Sequence, residues 1–167
     1  MLKPAQLYKN ELQRKYIDRW YDISAQYYVS GAERNALDIP DDPDNRCYFA
    51  CVNHLDNVVG YFSYSIDWQA HSVARIGLIS FVDVPNILLI NDVIKHIKSL
   101  FANNNIRRVE WGAYEDNPAM RGYEKLAARF GGRKIGTYRQ CCMLLDGKLH
   151  DFSVFEILKG GIDYERT

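Results

Sequence analysis

The sequence shows no excess of either charge, because 21 lysines and arginines are matched by 21 aspartates and glutamates. A balanced charge does not provide the broad positive field that drives nucleic-acid binding. No apolar run approaches the roughly 20 residues of a transmembrane helix. The N-terminal stretch becomes charged before seven apolar residues occur in a row, unlike a secretory signal. We therefore expect a cytoplasmic protein that uses neither nucleic acid nor a membrane as its partner.

Cysteine is scarce, with four in the chain. Cys47 and Cys51 fall in one predicted strand, which places them roughly 13 Å apart, too far to share a metal ion. Cys141 and Cys142 are adjacent in another predicted strand and would face opposite sides of the sheet. We therefore expect reduced thiols and no metal site.

Hydrophobic residues make up 47% of the chain and charged residues 25%, the balance of an ordinary soluble globule. A length of 167 residues fits one domain spanning 1–167. The most polar break, at 38–46, is short enough to be a loop within that domain.

The first half of the chain predicts helices followed by a meander of strands. Apolar residues recur every three to four positions through Leu12, Tyr16 and Trp20, which predicts one or two amphipathic helices between about 5 and 29. Three strand-like runs follow at 47–53, 58–68 and 72–84, separated by turn signals. In the second run Tyr64 and its alternate neighbours share one face, and we expect the opposite face to be wetter.

The second half predicts a crossover. A helix at 86–103 carries an apolar stripe that includes Ile87, Ile90, Ile94, Ile97 and Phe101. A strand follows at 106–114, then a helix within 115–132, then two strands joined at Asp146 and Gly147. A strand, helix, strand passage of this kind implies a parallel pair with a right-handed crossover.

Two motifs carry a family resemblance. The run at 117–132 reads NPAMRGYEKLAARFGG, and the run at 144–158 reads LLDGKLHDFSVFEIL. With the element order, they resemble the GCN5-related N-acetyltransferase (GNAT) superfamily over about residues 47–158. The closing hairpin resembles that of the ribosomal-protein acetyltransferase branch. The resemblance implies an α/β fold with a mixed, mostly antiparallel sheet flanked by helices.

The resemblance also implies acetyl-CoA as the cofactor and an amine, on a small molecule or a peptide, as the acceptor. The fourth strand of the family's sheet splays from the fifth and admits the acetyl-pantetheine arm. Backbone amides at Ser80, Phe81 and Val82 would polarise the thioester carbonyl. Asn117 would bond the pantetheine arm, and Tyr123 would donate a proton to the departing sulfur. Asn117 has a second explanation, because it or Asp116 can cap a helix that begins at Pro118.

One departure from the family is plain at 81–92, where FVDVPNILLIND contains no glycine. The family has a glycine-rich loop there, whose backbone amides hold the pyrophosphate of the cofactor. In this chain the helix amides near Asn86 and Ile87 are expected to take that role, with weakened binding. The alternative is a non-catalytic binding module of the same fold that has lost the pyrophosphate loop.

The acceptor side is expected to be formed by residues 20–35 and the 61–68 strand, with Tyr27, Tyr28 and Tyr64 as candidates. No general base is assigned, because Asp67, Asp83 and Glu110 have simpler roles as solvated or paired carboxylates. The histidines at 54, 71 and 96 also remain unassigned. The sheet edge and the first two helices are candidate surfaces for a homodimer.

Overall fold

A seven-stranded mixed sheet with helices on both faces forms the molecule. The computed structural model describes residues 1–29, 36–103 and 105–161. The strands are β1 (Leu2–Pro4), β2 (Arg46–Val52), β3 (Val58–Asp67), β4 (Ser72–Ser80), β5 (Arg108–Tyr114), β6 (Arg133–Met143) and β7 (Leu149–Leu158). The α-helices are α1 (Lys9–Trp20), α2 (Gln26–Val29), α3 (Ile87–Asn103) and α4 (Met120–Arg129). Short 3₁₀ turns occupy Ala5–Tyr8, Ile23–Ala25 and Lys159–Gly161.

The strands lie in the order β1-β2-β3-β4-β5-β7-β6. The predicted meander is confirmed as β2, β3 and β4, which pair antiparallel in sequence. The predicted parallel pair is confirmed as β4 and β5, joined through α3. The closing hairpin is also confirmed, with β7 inserted between β5 and β6 and Gly147 at a φ of +74° in the turn. The short strand β1 was not predicted, since three residues are too few to show a period.

Two apolar cores lie on opposite faces of the sheet. Helices α3 and α4 cover one face, where Phe62, Phe101 and Phe155 are fully buried. Helix α1 covers the other face, where Leu12 and Tyr16 pack against β3. The expectation of a wetter face on β3 is therefore wrong, because helices cover both of its faces.

The apolar stripe of α3 is rotated from the one predicted. Ile87 is 68% exposed, whereas Leu89 is 1% exposed and packs against β3. A Cβ built on Gly60 of β3 would lie 2.8 Å from Leu89 Cδ2, so the missing side chain at Gly60 makes room for Leu89. The phase of the helix is thus set by its contact with the sheet, which the helix's own sequence does not contain.

Helix α4 begins at Met120, later than the predicted start at Pro118. Asn117 instead closes a turn ahead of the helix, since its Oδ1 accepts a hydrogen bond from Ala119 N at 2.8 Å. Of the helices described, none is both long enough and apolar enough to cross a membrane.

Candidate active site

A cleft opens where β4 and β5 separate. The two parallel strands are in register at Ser72 with Arg108 and at Val73 with Val109, at the start of each strand. Beyond these pairs the strands diverge and leave a cavity of about 220 Å³ that residues from both faces of the sheet line. The separation exposes a gap through the sheet where pairing would otherwise bring the backbones about 4.8 Å apart.

The described lining of this cleft is apolar and aromatic, with no charged side chain. It comprises Tyr27, Tyr28, Ile76, Gly77, Leu78, Val93, Ile97, Trp111, Gly112, Ala113, Tyr114, Asn117, Tyr123, Leu126, Phe152 and Ile157. Apolar walls with a few polar groups are typical of sites that bind small molecules. The polar groups available here are phenols, one carboxamide, the backbone of the diverging strands and the indole N–H of Trp111, which is buried without a hydrogen-bond partner among the described residues.

Gly112 of β5 is needed to shape one wall. A Cβ at this position would lie 2.2 Å from the ring of Phe152, which also lines the cleft. No L side chain fits at that distance, so the ring of Phe152 rests directly on the backbone of β5.

Tyr123 of α4 reaches the cleft from the α3 side of the sheet. Burial, with a smaller contribution from the neighbouring phenol of Tyr28, raises the pKa of Tyr123 to about 12. Burial also raises the pKa of Tyr28. Both phenols therefore stay protonated at neutral pH and can each donate one hydrogen bond into the cleft.

Asn117 is buried, 4% exposed, and lines the same cleft. Its Oδ1 is committed to Ala119 N, while the described hydrogen bonds leave its Nδ2 uncommitted. The two interpretations of Asn117 are therefore compatible, because one end of the carboxamide closes the turn and the other remains a donor.

Two of the three tyrosines proposed for the acceptor side line the cleft, and the third does not. Tyr27 and Tyr28 of α2 line the cleft. Tyr64 does not: it is 2% exposed, lies in the core under α3, and its hydroxyl is 2.8 Å from His96 Nε2. Alternation along β3 points Tyr64 to the α3 face, whereas α2 covers the other. Residues 30–35 of the predicted acceptor segment lie outside the described residues.

The backbone amides expected to polarise a carbonyl have partners in this structure. Phe81 N donates to Val59 O at 3.0 Å, which extends the β3–β4 pairing. Val82 N donates to Ser80 Oγ at 3.3 Å, and the Ser80 hydroxyl donates to Val82 O at 3.1 Å. The bond from Val82 N is the longer of the two amide bonds and lies within one small turn.

The first turn of α3 is capped by its own chain. Asn86 Oδ1 accepts from Leu89 N at 3.1 Å, and Asn86 Nδ2 donates to Val59 O at 2.8 Å. Ile87 N donates to Pro85 O at 3.0 Å, and proline has no N–H. The described hydrogen bonds give no acceptor for the backbone amides of Asn86 and Leu88 in this turn.

The three carboxylates considered as general bases have structural partners. Asp83, in the loop before α3, forms an ion pair with Arg19 of α1 at 2.6 Å. Asp67 caps a turn through Ala70 N, and Glu110 pairs with Arg108 at 3.5 Å. None of these three carboxylates lines the cleft among the described residues.

A charged group behind the cleft was missed by the sequence analysis. His150 of β7 is 5% exposed, with Nδ1 2.8 Å from Asp116 Oδ2 and Nε2 3.0 Å from Asp146 Oδ1. Hydrogen bonds to these carboxylates, Asp146 first, raise the pKa of His150. The ring also contacts Tyr27 edge-on at 5.8 Å. The local DGKLHD motif hints at the Asp146 contact, but nothing in the sequence indicates Asp116.

Comparison with solved structures identifies the fold. A spermidine N-acetyltransferase from Vibrio cholerae, solved with CoA and spermine, superposes with a TM-score of 0.75 over 96% of each chain at 14% identity. A probable GNAT-family acetyltransferase from Chromobacterium violaceum gives 0.71, with 96% of this chain and 87% of that one covered at 21% identity. The fold is that of the GCN5-related N-acetyltransferases. A GCN5-related N-acetyltransferase from Brucella melitensis gives 0.65, over 96% of this chain and 76% of that one, at 21% identity.

No family model matches the sequence, and no curated protein matches it either. The predicted GNAT-like fold is thus confirmed by structural superposition. The sequence identities to these neighbours are low, so the comparison establishes the fold alone. The narrower resemblance to the ribosomal-protein acetyltransferase branch is not confirmed by these neighbours and stays a prediction.

Proposed function

We propose that this chain is an acetyl-CoA-dependent N-acetyltransferase that acts on an amine of a small molecule or peptide. The observation that carries the proposal is the cleft between the separated parallel strands β4 and β5, with Asn117 and Tyr123 both in its wall. An open edge between parallel strands lets an extended arm lie between them and bond to backbone groups that are otherwise paired. Acetyl-CoA supplies the acetyl group as a thioester.

The pantetheine end of the cofactor fits the residues present. The cleft is apolar, and its buried Asn117 keeps Nδ2 available to donate to an amide carbonyl of the arm. Val82 N, whose 3.3 Å bond to Ser80 Oγ lies within one small turn, is the least committed of the amides expected to polarise the thioester carbonyl, although Ser80, Phe81 and Val82 are not among the described residues that line the cleft. Phe81 N is less suited, because its bond to Val59 O belongs to the sheet.

The role of Tyr123 is inferred from its position in the cleft wall together with its pKa. A value of about 12 lies well above the roughly 8.5 of a free thiol, so complete proton transfer to the leaving sulfur is uphill. The phenol O–H instead donates a hydrogen bond to the negative charge that develops on the sulfur as the thioester breaks. We therefore assign Tyr123 to stabilisation of the leaving group.

The pyrophosphate end fits less well. Asn86 and Ile87 were the expected contacts, yet the side chain of Asn86 occupies Leu89 N and the amide of Ile87 is bonded to Pro85 O. A helix N-terminus binds phosphate through several free amides, and among the described hydrogen bonds this one leaves the amides of Asn86 and Leu88 free. The cofactor is therefore held mainly by its acyl-pantetheine arm.

Calorimetric titration with acetyl-CoA and with acetyl-pantetheine tests this proposal. We expect both to bind, with acetyl-CoA within about tenfold of acetyl-pantetheine, because the phosphates gain few amides. Release of free thiol in the presence of an amine then measures transfer. No heat and no thermal shift at about millimolar acetyl-CoA would instead indicate the non-catalytic binding module, with Asn117 acting only in its turn.

A pair of matched variants separates the two ends of Asn117. Asn117→Asp keeps an acceptor for Ala119 N but loses the Nδ2 donor, so both ligands should bind at least about tenfold more weakly. Asn53→Asp is the control, since Asn53 Oδ1 also accepts in a turn, from Leu55 N at 2.9 Å, away from the cleft. Unchanged affinity in Asn117→Asp would remove Asn117 from the cofactor site.

A further inference from the structure

An arginine lies beside the cleft on the face of the sheet that α2 covers. Arg46 begins β2, and its Nη2 donates to Ser63 Oγ of β3 at 3.1 Å. The guanidinium also lies 5.6 Å from the ring centre of Tyr48. Its Nε is buried and has no hydrogen-bond partner among the described residues.

Within residues 1–29, 36–103 and 105–161, no carboxylate lies within ion-pair distance of Arg46. Arg19, Arg108 and Arg133 each have such a partner, whereas several other described arginines, like Arg46, have none. Among the described arginines, Arg46 is distinguished by a buried Nε that makes no hydrogen bond. A guanidinium has five N–H donors, and one hydrogen bond to a neutral hydroxyl leaves most of them unused. A partly buried cation with spare donors is costly unless an anion is bound there in the working state.

The position of Arg46 relates it to the cleft. Gly77 of β4 is in the cleft wall and pairs with Ser63 in the sheet. A Cβ built on Gly77 would lie 2.7 Å from Ser63 Oγ and 3.9 Å from Arg46 Nη2. The absence of a side chain at Gly77 therefore leaves the backbone of the cleft wall directly beside the guanidinium.

We propose that Arg46 binds a carboxylate of the acceptor, so that the substrate is an amine that also carries a carboxylate. The inference rests on the proposed acetyltransferase function and adds the substrate class. A planar guanidinium fork matches the two oxygens of a carboxylate, which would satisfy the unused donors of Arg46. The amine end of the same molecule then points along Gly77 into the gap between β4 and β5.

A polycationic acceptor such as the spermine bound by the Vibrio cholerae enzyme suits this cleft less well. The described lining holds no carboxylate to pair with an ammonium group. Arg46 would repel a second ammonium at the place where a carboxylate is attracted.

The test uses a ladder of ω-amino acids with two to six carbons, each compared with its own carboxamide, together with spermidine. We expect kcat/KM for at least one acid to exceed that of its carboxamide by about tenfold or more. Removing the carboxylate lowers the pKa of the amine, which leaves more of it neutral, so this bias works against the prediction. Calorimetric binding of the same pairs without acetyl-CoA supplies a readout that does not depend on turnover.

Variants assign the preference to Arg46. In Arg46→Gln the ratio of acid to carboxamide is expected to fall to about one, and Arg46→Lys to retain part of it, because it keeps the charge but not the fork. Ser63→Ala, which removes the hydroxyl that holds Nη2, is a milder second test should Arg46→Gln fold poorly. Arg139→Gln on the exposed strand β6 is the control and should keep the wild-type ratio.

The outcomes separate this inference from the proposed function. Transfer to carboxamides or spermidine at rates equal to or above those for every acid would overturn the carboxylate inference and leave the acetyltransferase proposal standing. A preference for acids that survives in Arg46→Gln would overturn the role of Arg46. Absence of acetyl-CoA binding would contradict the proposed function. The calorimetric affinities of each acid and its carboxamide, measured without acetyl-CoA, would still decide the role of Arg46.

Discussion

Tyr123 illustrates how burial shapes a single functional group. The side chain packs against the core under α3 and α4, and desolvation raises its pKa to about 12. The hydroxyl is therefore kept as a donor over the whole physiological pH range.

Replacing Tyr123 by phenylalanine tests this role at the residue scale. The ring and its packing remain, but the donor to the leaving sulfur is lost, so kcat is expected to fall about 10²-fold with little change in acetyl-CoA affinity. Steady-state kinetics and calorimetry on the same preparation measure both quantities. Tyr138→Phe on exposed β6 is the control. Wild-type turnover in Tyr123→Phe, with chemistry shown to limit the rate, would exclude the role.

At the scale of one element, the N-terminus of α3 is closed by its own cap. Asn86 joins three elements through its side chain, which contacts Leu89 N of α3, Val59 O of β3 and Ser80 Oγ of β4. In a site that binds pyrophosphate, an amide such as Leu89 N would be left for the ligand. The cap stabilises the helix and ties it to β3 and β4 at the mouth of the cleft.

We expect Asn86→Ala to lower the free energy of unfolding by about 2 kcal/mol, from the lost cap and the lost hydrogen bond to Val59 O, which keeps only its bond from Phe81 N. Asn86→Asp keeps the acceptor for Leu89 N but not the donor to Val59 O, so its loss is expected to be smaller. Urea denaturation of the three proteins measures the difference. Equal stability of Asn86→Ala and wild type would show that the cap contributes nothing measurable.

At the scale of the whole molecule, the closing hairpin is tied to the first helices across 120 residues. Gln26 Oε1 of α2 accepts from Asp146 N at 3.1 Å, and the ring of His150 contacts Tyr27 in the cleft wall. Between two carboxylate acceptors, both ring nitrogens of His150 must donate, which requires the protonated imidazole. The charge of His150 thus supports the wall formed by α2.

This arrangement predicts a pH dependence of stability. The pKa of His150 is raised in the folded state above its ordinary 6.5, chiefly by its hydrogen bond to Asp146. Its contribution is therefore complete below about pH 6.5 and is lost as the pH rises through the raised value. We expect the Tm difference between wild type and His150→Gln to be larger at about pH 6 than at about pH 9.

His54→Gln, which removes an exposed histidine from a turn, controls for loss of an imidazole as such. A Tm difference for His150→Gln that is the same at both pH values would mean that the charge of His150 does not stabilise the fold. Acetyl transfer by the same variants would show whether loosening the hairpin also disturbs the cleft wall.

The sequence by itself determined the order of elements and much of the fold. The meander, the crossover through α3 and the closing hairpin follow from periodicity and turn residues within short windows. Asn117 and Tyr123 were proposed from the family resemblance of one local motif, and both lie in the wall of the cleft. These features depend on neighbours within a few residues, which a sequence displays directly.

Only the tertiary structure decided which groups face the cleft and which are already committed. The exclusion of Tyr64 depends on which helix covers which face of β3. The cap at the N-terminus of α3 depends on Asn86 reaching Val59, and the position of Arg46 beside Gly77 depends on three strands lying side by side. Each of these is a contact between segments far apart in the chain. Distances of a few ångströms decide whether the contact forms, and no local pattern encodes them.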